Sequence, residues 1–330
     1  MKILFYSAKS YDQEYFRLAN QDFGFELSFI DAPLSYDTLG LSQNCEAVCV
    51  FVNDKLDAKV IAGLAQNGVK LVALRCAGFN NVDLAAAAAH NIKIVRVPAY
   101  SPEAVAEHAV ALILTLSRKT HKAYNRVREG NFSLERLTGF NLYQKTVGVV
   151  GTGKIGQAFC RIMLGFGCQV LAYDLYPNPE MEAIGVKYVE FEEALREADI
   201  LSLHCPLTPK THHLLDEAAF NQIKKGATLI NTSRGALVDT KAVIQALKHR
   251  QIRALGIDVY EQEEHLFFQD LSETIIQDDL IARLMSFPNV LVTAHQAFFT
   301  QEALTEIAQI TLGNLLAWQK GDKLENAVKA

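Results

Sequence analysis

Residues 146–156 read TVGVVGTGKIG. A β-branched apolar run feeds straight into Gly151-Thr152-Gly153-Lys154-Ile155-Gly156, and a helical stretch follows from Gln157 to about Phe166. This is G-x-G-x-x-G in the strand–turn–helix setting that gives the pattern its meaning. Gly151 permits the tight turn, Gly153 lets a pyrophosphate approach the backbone, and Gly156 lets the helix pack on the strand. The free N–H groups at the helix start then face the phosphates. The next strand, QVLAYD, ends in Asp174, placed to accept hydrogen bonds from the adenine-ribose hydroxyls and to repel a 2′-phosphate. Leu175 and Tyr176 follow, with no arginine to receive such a phosphate, so the pattern favours NAD over NADP.

Outward from this turn, strand-like runs alternate with helix-length segments. Before it lie Ile3–Tyr6, Glu26–Ile30, Ala47–Val52, Leu71–Leu74 and Lys93–Val97. From it onward come Thr146–Val150, Gln169–Tyr173, Ile200–Leu203, Thr228–Asn231, Ala254–Asp258 and Val290–Thr293. The alternation predicts an α/β protein with two Rossmann-like or flavodoxin-like domains and parallel sheets. A whole α/β unit precedes the fingerprint, which predicts a nucleotide domain inserted into a split substrate domain. The expected boundaries are 1–100 with 299–330 for the catalytic part and 101–298 for the NAD part. At the first junction, Ser101 suits an N-cap and Pro102 the first helical turn. The helix from there to about Arg118 is apolar on most sides and is expected to be buried all round.

Composition narrows the function. The chain has 330 residues, 32 Lys and Arg against 37 Asp and Glu, and a net charge of −5, which argues against a nucleic-acid partner. The run Ala109–Leu116 is far short of the ~20 apolar residues of a membrane span, and MKILFYSAKSYD lacks the features of a signal peptide. No membrane association is expected. Cys45, Cys49, Cys76, Cys160, Cys168 and Cys205 form no CxxC pair and no cluster with histidine, so they read as buried free thiols of a cytoplasmic protein, and no metal is expected.

Three late segments carry chemistry: NTSRGALVD (231–239), ALGIDVYEQEE (254–264) and LVTAHQAFF (291–299). Each is an apolar strand ending in polar residues, and the carboxyl ends of parallel strands are where open α/β sheets place ligands. Arg234 offers a permanently charged fork for a carboxylate. His295 is the natural proton donor, and Glu263 a carboxylate that would favour its imidazolium. Asp258 is a second carboxylate near the site. The other histidines, His212 and His213 among them, lack comparable context and read as structural.

Together these segments, with RCAGFNNVDL (75–84), VPAYSPEAVAEH (97–108), HCPLTPKTHHLL (204–215) and NVLVTAHQAFFT (289–300), resemble the D-isomer-specific 2-hydroxyacid dehydrogenase family over essentially the full length. The resemblance implies a split catalytic domain bracketing an NAD domain, with the active site in the cleft between them. It implies Arg234, Glu263 and His295 as the catalytic set. It puts Cys76, Ala77 and Gly78 on the substrate carboxylate, and Gly151, Gly153, Lys154, Ile155, Gly156, Asp174, Cys205, Pro206, Thr211, Thr232, Ser233, Arg234 and Asp258 around NAD. HQAFF after the histidine is similar to the branch that reduces pyruvate to D-lactate, with Tyr100, Phe298 and Phe299 expected to wall a pocket for the substrate methyl. Bulkier 2-keto acids, or a dinucleotide-sensing corepressor role, are the alternatives. A homodimer or homotetramer is implied, with the helix after Ser101 as a contact surface.

Overall fold

The computed structural model describes residues 1–328, the side chain of His265 excepted. The chain divides into two compact units, one of residues 1–101 with 298–330 and one of residues 102–297.

The first unit holds strands β1 (Lys2–Phe5), β2 (Glu26–Phe29), β3 (Ala47–Val50), β4 (Leu71–Leu74) and β5 (Lys93–Arg96). They join the late β13 (Ala327–Val328) in the order β13-β5-β4-β3-β1-β2. β3 and β4 are buried at every position, as expected of central parallel strands whose two faces are both covered. The core gathers Val48, Ile61, Leu64, Val72 and Ile94. β13 alone is antiparallel, pairing Ala327 with Val95 and Val328 with Ile94. The end of the chain is tied in further by Asn314, whose Nδ2 donates to the Arg96 carbonyl at 2.9 Å, and by Asn326, which donates to Asn314 at 2.8 Å.

The second unit holds β6 (Thr146–Val150), β7 (Gln169–Tyr173), β8 (Lys187–Tyr188), β9 (Ile200–Leu203), β10 (Ala227–Asn231), β11 (Ile252–Ile257) and β12 (Val290–Val292). All neighbours are parallel, in the order β12-β11-β10-β9-β6-β7-β8. The order reverses at β6, with β7 on one side and β9 on the other. That is the switch point where doubly wound sheets open a crevice at their carboxyl ends. Separate apolar clusters pack around this sheet, one with Phe159, Met163, Ala109 and Ile113, the other with Leu229, Val243, Leu247 and Phe220.

Residues 101 and 298 fall in the first unit, one position outside the expected boundaries, and some elements also differ from the sequence reading. The two-residue strands β8 and β13 are too short to show a period. Helix Lys154–Gly165 starts three residues earlier than the sequence reading, so Lys154 and Ile155 form its first turn. Helix Pro102–Arg118 is not buried all round: Glu103, Glu107 and Ala111 make an exposed stripe at helical spacing, while Val105, Ala109, Leu112 and Ile113 face the core.

Candidate active site

The loop after β6 is shaped by its glycines. Gly151 has φ of +95°, and a Cβ there would lie 2.6 Å from the Cys205 amide nitrogen. A Cβ on Gly156 would lie 2.0 Å from the Gly151 carbonyl oxygen. Gly153 is different: a Cβ there meets nothing within 4 Å. The protein leaves that space open at the start of Lys154–Gly165, whose N-cap Gly153 has no side chain to satisfy the first helical amides. At the end of β7, the Asp174 carboxylate accepts from the Thr152 amide (2.6 Å) and hydroxyl (3.1 Å) and from the Tyr176 amide (2.9 Å). Tyr188 on β8 donates to the Thr152 hydroxyl at 2.9 Å, bracing this corner.

The other expected cofactor residues sit in the loops after β9 and β10. The Ser233 hydroxyl donates to the Cys205 carbonyl at 2.7 Å and joins the two loops. Thr211 folds its own loop, donating to the Pro206 carbonyl at 2.7 Å. The hydroxyl of Thr232 is buried without a hydrogen-bond partner. A buried hydroxyl with no partner is costly unless a ligand satisfies it. The bare turn at Gly153, the uncapped helix start and this orphan hydroxyl all fit a bound dinucleotide.

Beyond β10, Arg234 is held by its backbone: the Asn231 side chain donates to its carbonyl at 2.8 Å. Gly235 beside it takes the close approach of the 260–261 backbone, where a Cβ would lie 2.1 Å from the Tyr260 carbonyl carbon. One guanidinium nitrogen of Arg234 donates to the Ser233 carbonyl at 2.7 Å, and among the described residues it has no carboxylate partner. A half-buried guanidinium with no internal anion is suited to an external one.

His295 lies in the turn after β12. Its Nδ1 is 2.7 Å from Glu263 Oε1, and both side chains are only 15% exposed. The second oxygen of Glu263 accepts from the Tyr260 amide at 2.9 Å, which fixes the carboxylate. Glu264 next to it is exposed, so the two acids do not form one solvated patch. A carboxylate on Nδ1 selects the tautomer with Nδ1–H and leaves Nε2 as the exchangeable nitrogen.

Asp258, expected as a second carboxylate near the site and as a cofactor contact, is 0% exposed, and its carboxylate is engaged within the protein. Oδ1 accepts from the Thr293 hydroxyl (2.5 Å) and the Gln296 amide (2.9 Å), and Oδ2 from the Ala297 amide (2.8 Å). His108 stands at 3.4 Å and hydrogen-bonds the Thr293 hydroxyl at 3.0 Å. Burial pushes this carboxyl up, but the hydrogen bonds from His108, Thr293 and Ala297 outweigh it and hold it below the ordinary carboxylate range. The Asp258 carbonyl also accepts the His295 amide at 2.7 Å, where His295 sits at φ of +51°. Asp258 therefore shapes the turn that presents His295.

In the first unit, the carbonyls of the Cys76-Ala77-Gly78 loop are all taken: by the Val97 amide at 3.3 Å, the Arg96 guanidinium at 2.7 Å and the Cys76 thiol at 3.3 Å, respectively. Among the described residues the Ala77 and Gly78 amides have no acceptor. Phe298 is buried against Tyr100 (ring centroids 6.2 Å) and Phe51 (5.9 Å). Phe299 meets Phe298 edge-on, with ring centroids 6.0 Å apart. It is 47% exposed and leans edge-on to Tyr11 at 4.7 Å. Phe51 was missed by the sequence reading, although it follows the carboxyl end of β3. So was Arg75, which is fully buried at the base of the 76–78 loop, 3.1 Å from Asp12 and stacked over Phe51.

Residues 110–297 match the profile of the D-isomer specific 2-hydroxyacid dehydrogenase NAD-binding domain. The chain belongs to that family of NAD-dependent oxidoreductases, and its second unit carries the NAD-binding fold. It is 55% identical to the D-lactate dehydrogenase of Escherichia coli over 326 residues, 99% of each chain. It superposes on the Salmonella D-lactate dehydrogenase with a TM-score of 0.88 at 54% identity, covering 99% of this chain and 100% of that one. On the Lactobacillus jensenii D-lactate dehydrogenase solved with NAD+, the TM-score is 0.84 at 35% identity, with both chains fully covered.

Proposed function

We propose that this chain catalyses the NADH-dependent reduction of pyruvate to D-lactate, and the reverse. The observation that carries the reading is the 2.7 Å bond between His295 Nδ1 and Glu263 Oε1, at the carboxyl end of the sheet that bears the nucleotide loop. Glu263 stabilises the imidazolium and orients it. His295 gives the Nε2 proton to the keto oxygen and returns to the neutral form, and in oxidation it takes the proton back from the hydroxyl. Arg234 pairs with the substrate carboxylate through its free guanidinium edge and draws charge toward the carbonyl oxygen. In the first unit, the Ala77 and Gly78 amides are available to a carboxylate, and Phe298 and Tyr100 supply apolar surface. The bound cofactor supplies the hydride.

NADH oxidation by the purified protein with pyruvate tests this directly, with the product resolved by chirality. The absence of pyruvate-dependent turnover, or an L-product, refutes it. The values of kcat/KM for pyruvate, 2-ketoisocaproate and phenylpyruvate rank the side-chain preference, since one methylene in such a pocket is worth ~1–3 kcal/mol.

Six buried free thiols support a reducing, cytoplasmic setting. Self-association runs through the segment after helix Pro102–Arg118 rather than through that helix, most of whose apolar face is spent on its own core. Tyr124, Val127, Phe132 (75%), Leu134 (82%) and Tyr143 are all exposed there. Such a concentration of bare apolar surface marks an interaction site, and sedimentation of the Phe132→Ser, Leu134→Ser double variant tests it.

A further inference from the structure

Among the described residues, and outside those assigned above, one group of side chains carries the chemistry of a metal centre. His212, His213 and Glu261 each present a ligand atom within 4.8 Å of the other two. His213 Nε2 is 2.7 Å from Glu261 Oε1. The rings of His212 and His213 are stacked, with centroids 4.0 Å apart and planes 29° apart. We propose that these three residues form a zinc-binding site, with water completing the coordination.

Two adjacent histidines in extended backbone point to opposite sides of the chain. Here they point together because His213 sits in the left-handed region, at φ of +51°. That conformation is uncommon for a residue with a side chain. It is held in place by the His213 amide, which donates to the Ala236 carbonyl at 2.8 Å, and by the Leu215 amide, which donates to the Leu237 carbonyl at 3.0 Å. A simple His213–Glu261 ion pair would need neither the backbone twist nor the second ring. Zinc favours this ligand set, neutral imidazoles with one carboxylate.

The carboxylate is also prepared for a metal. Glu261 Oε2 accepts the Thr240 hydroxyl at 2.8 Å, which orients the group and leaves Oε1 for the ion. Tetrahedral zinc bonds of about 2.0–2.1 Å set neighbouring donors about 3.3 Å apart. The His213–Glu261 contact therefore opens by roughly 0.6 Å, and the other separations close from at most 4.8 Å. His212 is exposed and the other two are partly exposed, so an ion enters from solvent without unfolding. With three protein ligands and water, the site falls in the open class rather than the closed structural one.

The test is zinc binding to the metal-free full-length protein, read by competition with a chromophoric chelator. Cobalt is the spectroscopic probe for four-coordinate geometry. The parent is expected to take one zinc per chain and to show the visible cobalt band of a tetrahedral site. His212→Ala, an exposed change that leaves pyruvate reduction intact, should weaken zinc by about tenfold or more. Glu261→Gln keeps the side-chain shape and removes the anion, and it too should weaken zinc and abolish the cobalt band. Equal affinity in the parent and His212→Ala overturns the proposal. So does a parent protein with no saturable one-to-one zinc binding.

Discussion

Replacing Asp258 with asparagine isolates the residue that shapes the His295 turn. The carboxylate takes two backbone amides and a hydroxyl without exposure to water. Asparagine has one acceptor oxygen. In either orientation its amide nitrogen faces a backbone N–H, that of Ala297 or that of Gln296, and one buried donor is orphaned. An orphaned buried donor costs about 1–3 kcal/mol, and each surviving bond loses about 1 kcal/mol when its acceptor is no longer ionised. Relief from burying a charge offsets part of this. The net is a loss of about 3 kcal/mol, roughly a hundredfold in the unfolding equilibrium. The urea midpoint should fall accordingly. kcat should drop by more than tenfold, with KM for NADH nearly unchanged, because the turn and not the cofactor loop is loosened. Acid acts on the same group in the parent. The folded carboxyl lies below its unfolded value, so its contribution is present above about pH 4 and is lost as pH falls through the folded value. That component of acid sensitivity should be missing in Asp258→Asn. A stability change below about 1 kcal/mol together with an unchanged kcat would refute the reasoning.

Glu263→Gln keeps the shape but not the charge beside His295, so kcat for pyruvate reduction should fall by about tenfold or more; parental kcat contradicts the pairing. Arg234→Lys replaces a planar fork with a point charge, and kcat/KM for pyruvate should fall by about a hundredfold or more, while near-parental turnover removes the carboxylate role. Asp174→Ala should weaken NADH binding and relax discrimination against NADPH, measured as the ratio of kcat/KM for the two cofactors. Arg75→Met leaves Asp12 as an unpaired buried charge and should cost about 3–5 kcal/mol in denaturant unfolding; a loss under about 1 kcal/mol shows that the pair is dispensable.

The fold was legible because its signals are local and repeated. β-Branched runs such as Thr146–Val150 and Leu71–Leu74 are bounded by turn residues, and the glycine fingerprint follows a strand and opens a helix. What escaped needed three dimensions. β8 and β13 are two residues long, and only their neighbours make them strands. Asp258 could be placed at a strand end, but nothing in ALGID tells whether its carboxylate points to a ligand or folds under the next turn. Phe298 and Phe299 are indistinguishable as letters, yet one enters the core and the other turns out to Tyr11. Nothing in the letters around Arg75 shows its burial, which depends on Asp12, far away in sequence. Gly235 resembles any loop glycine until the 260–261 backbone is seen against it. His212 and His213 looked unremarkable for a similar reason, since Glu261 reaches them only once the sheet has formed.

One consequence concerns how such a chain is made. β5 finds its outer neighbour β13 only after residue 328 has been synthesised, and helix Gln301–Lys320, which bonds back to Arg96 through Asn314, emerges almost as late. The inserted unit is complete at residue 297 and can close while the ribosome is still translating. The opening segment must wait with a hydrophobic strand edge uncovered, the kind of surface that invites pairing with other chains. Loss of β13 would therefore harm the first-made part of the polypeptide more than the inserted unit made after it.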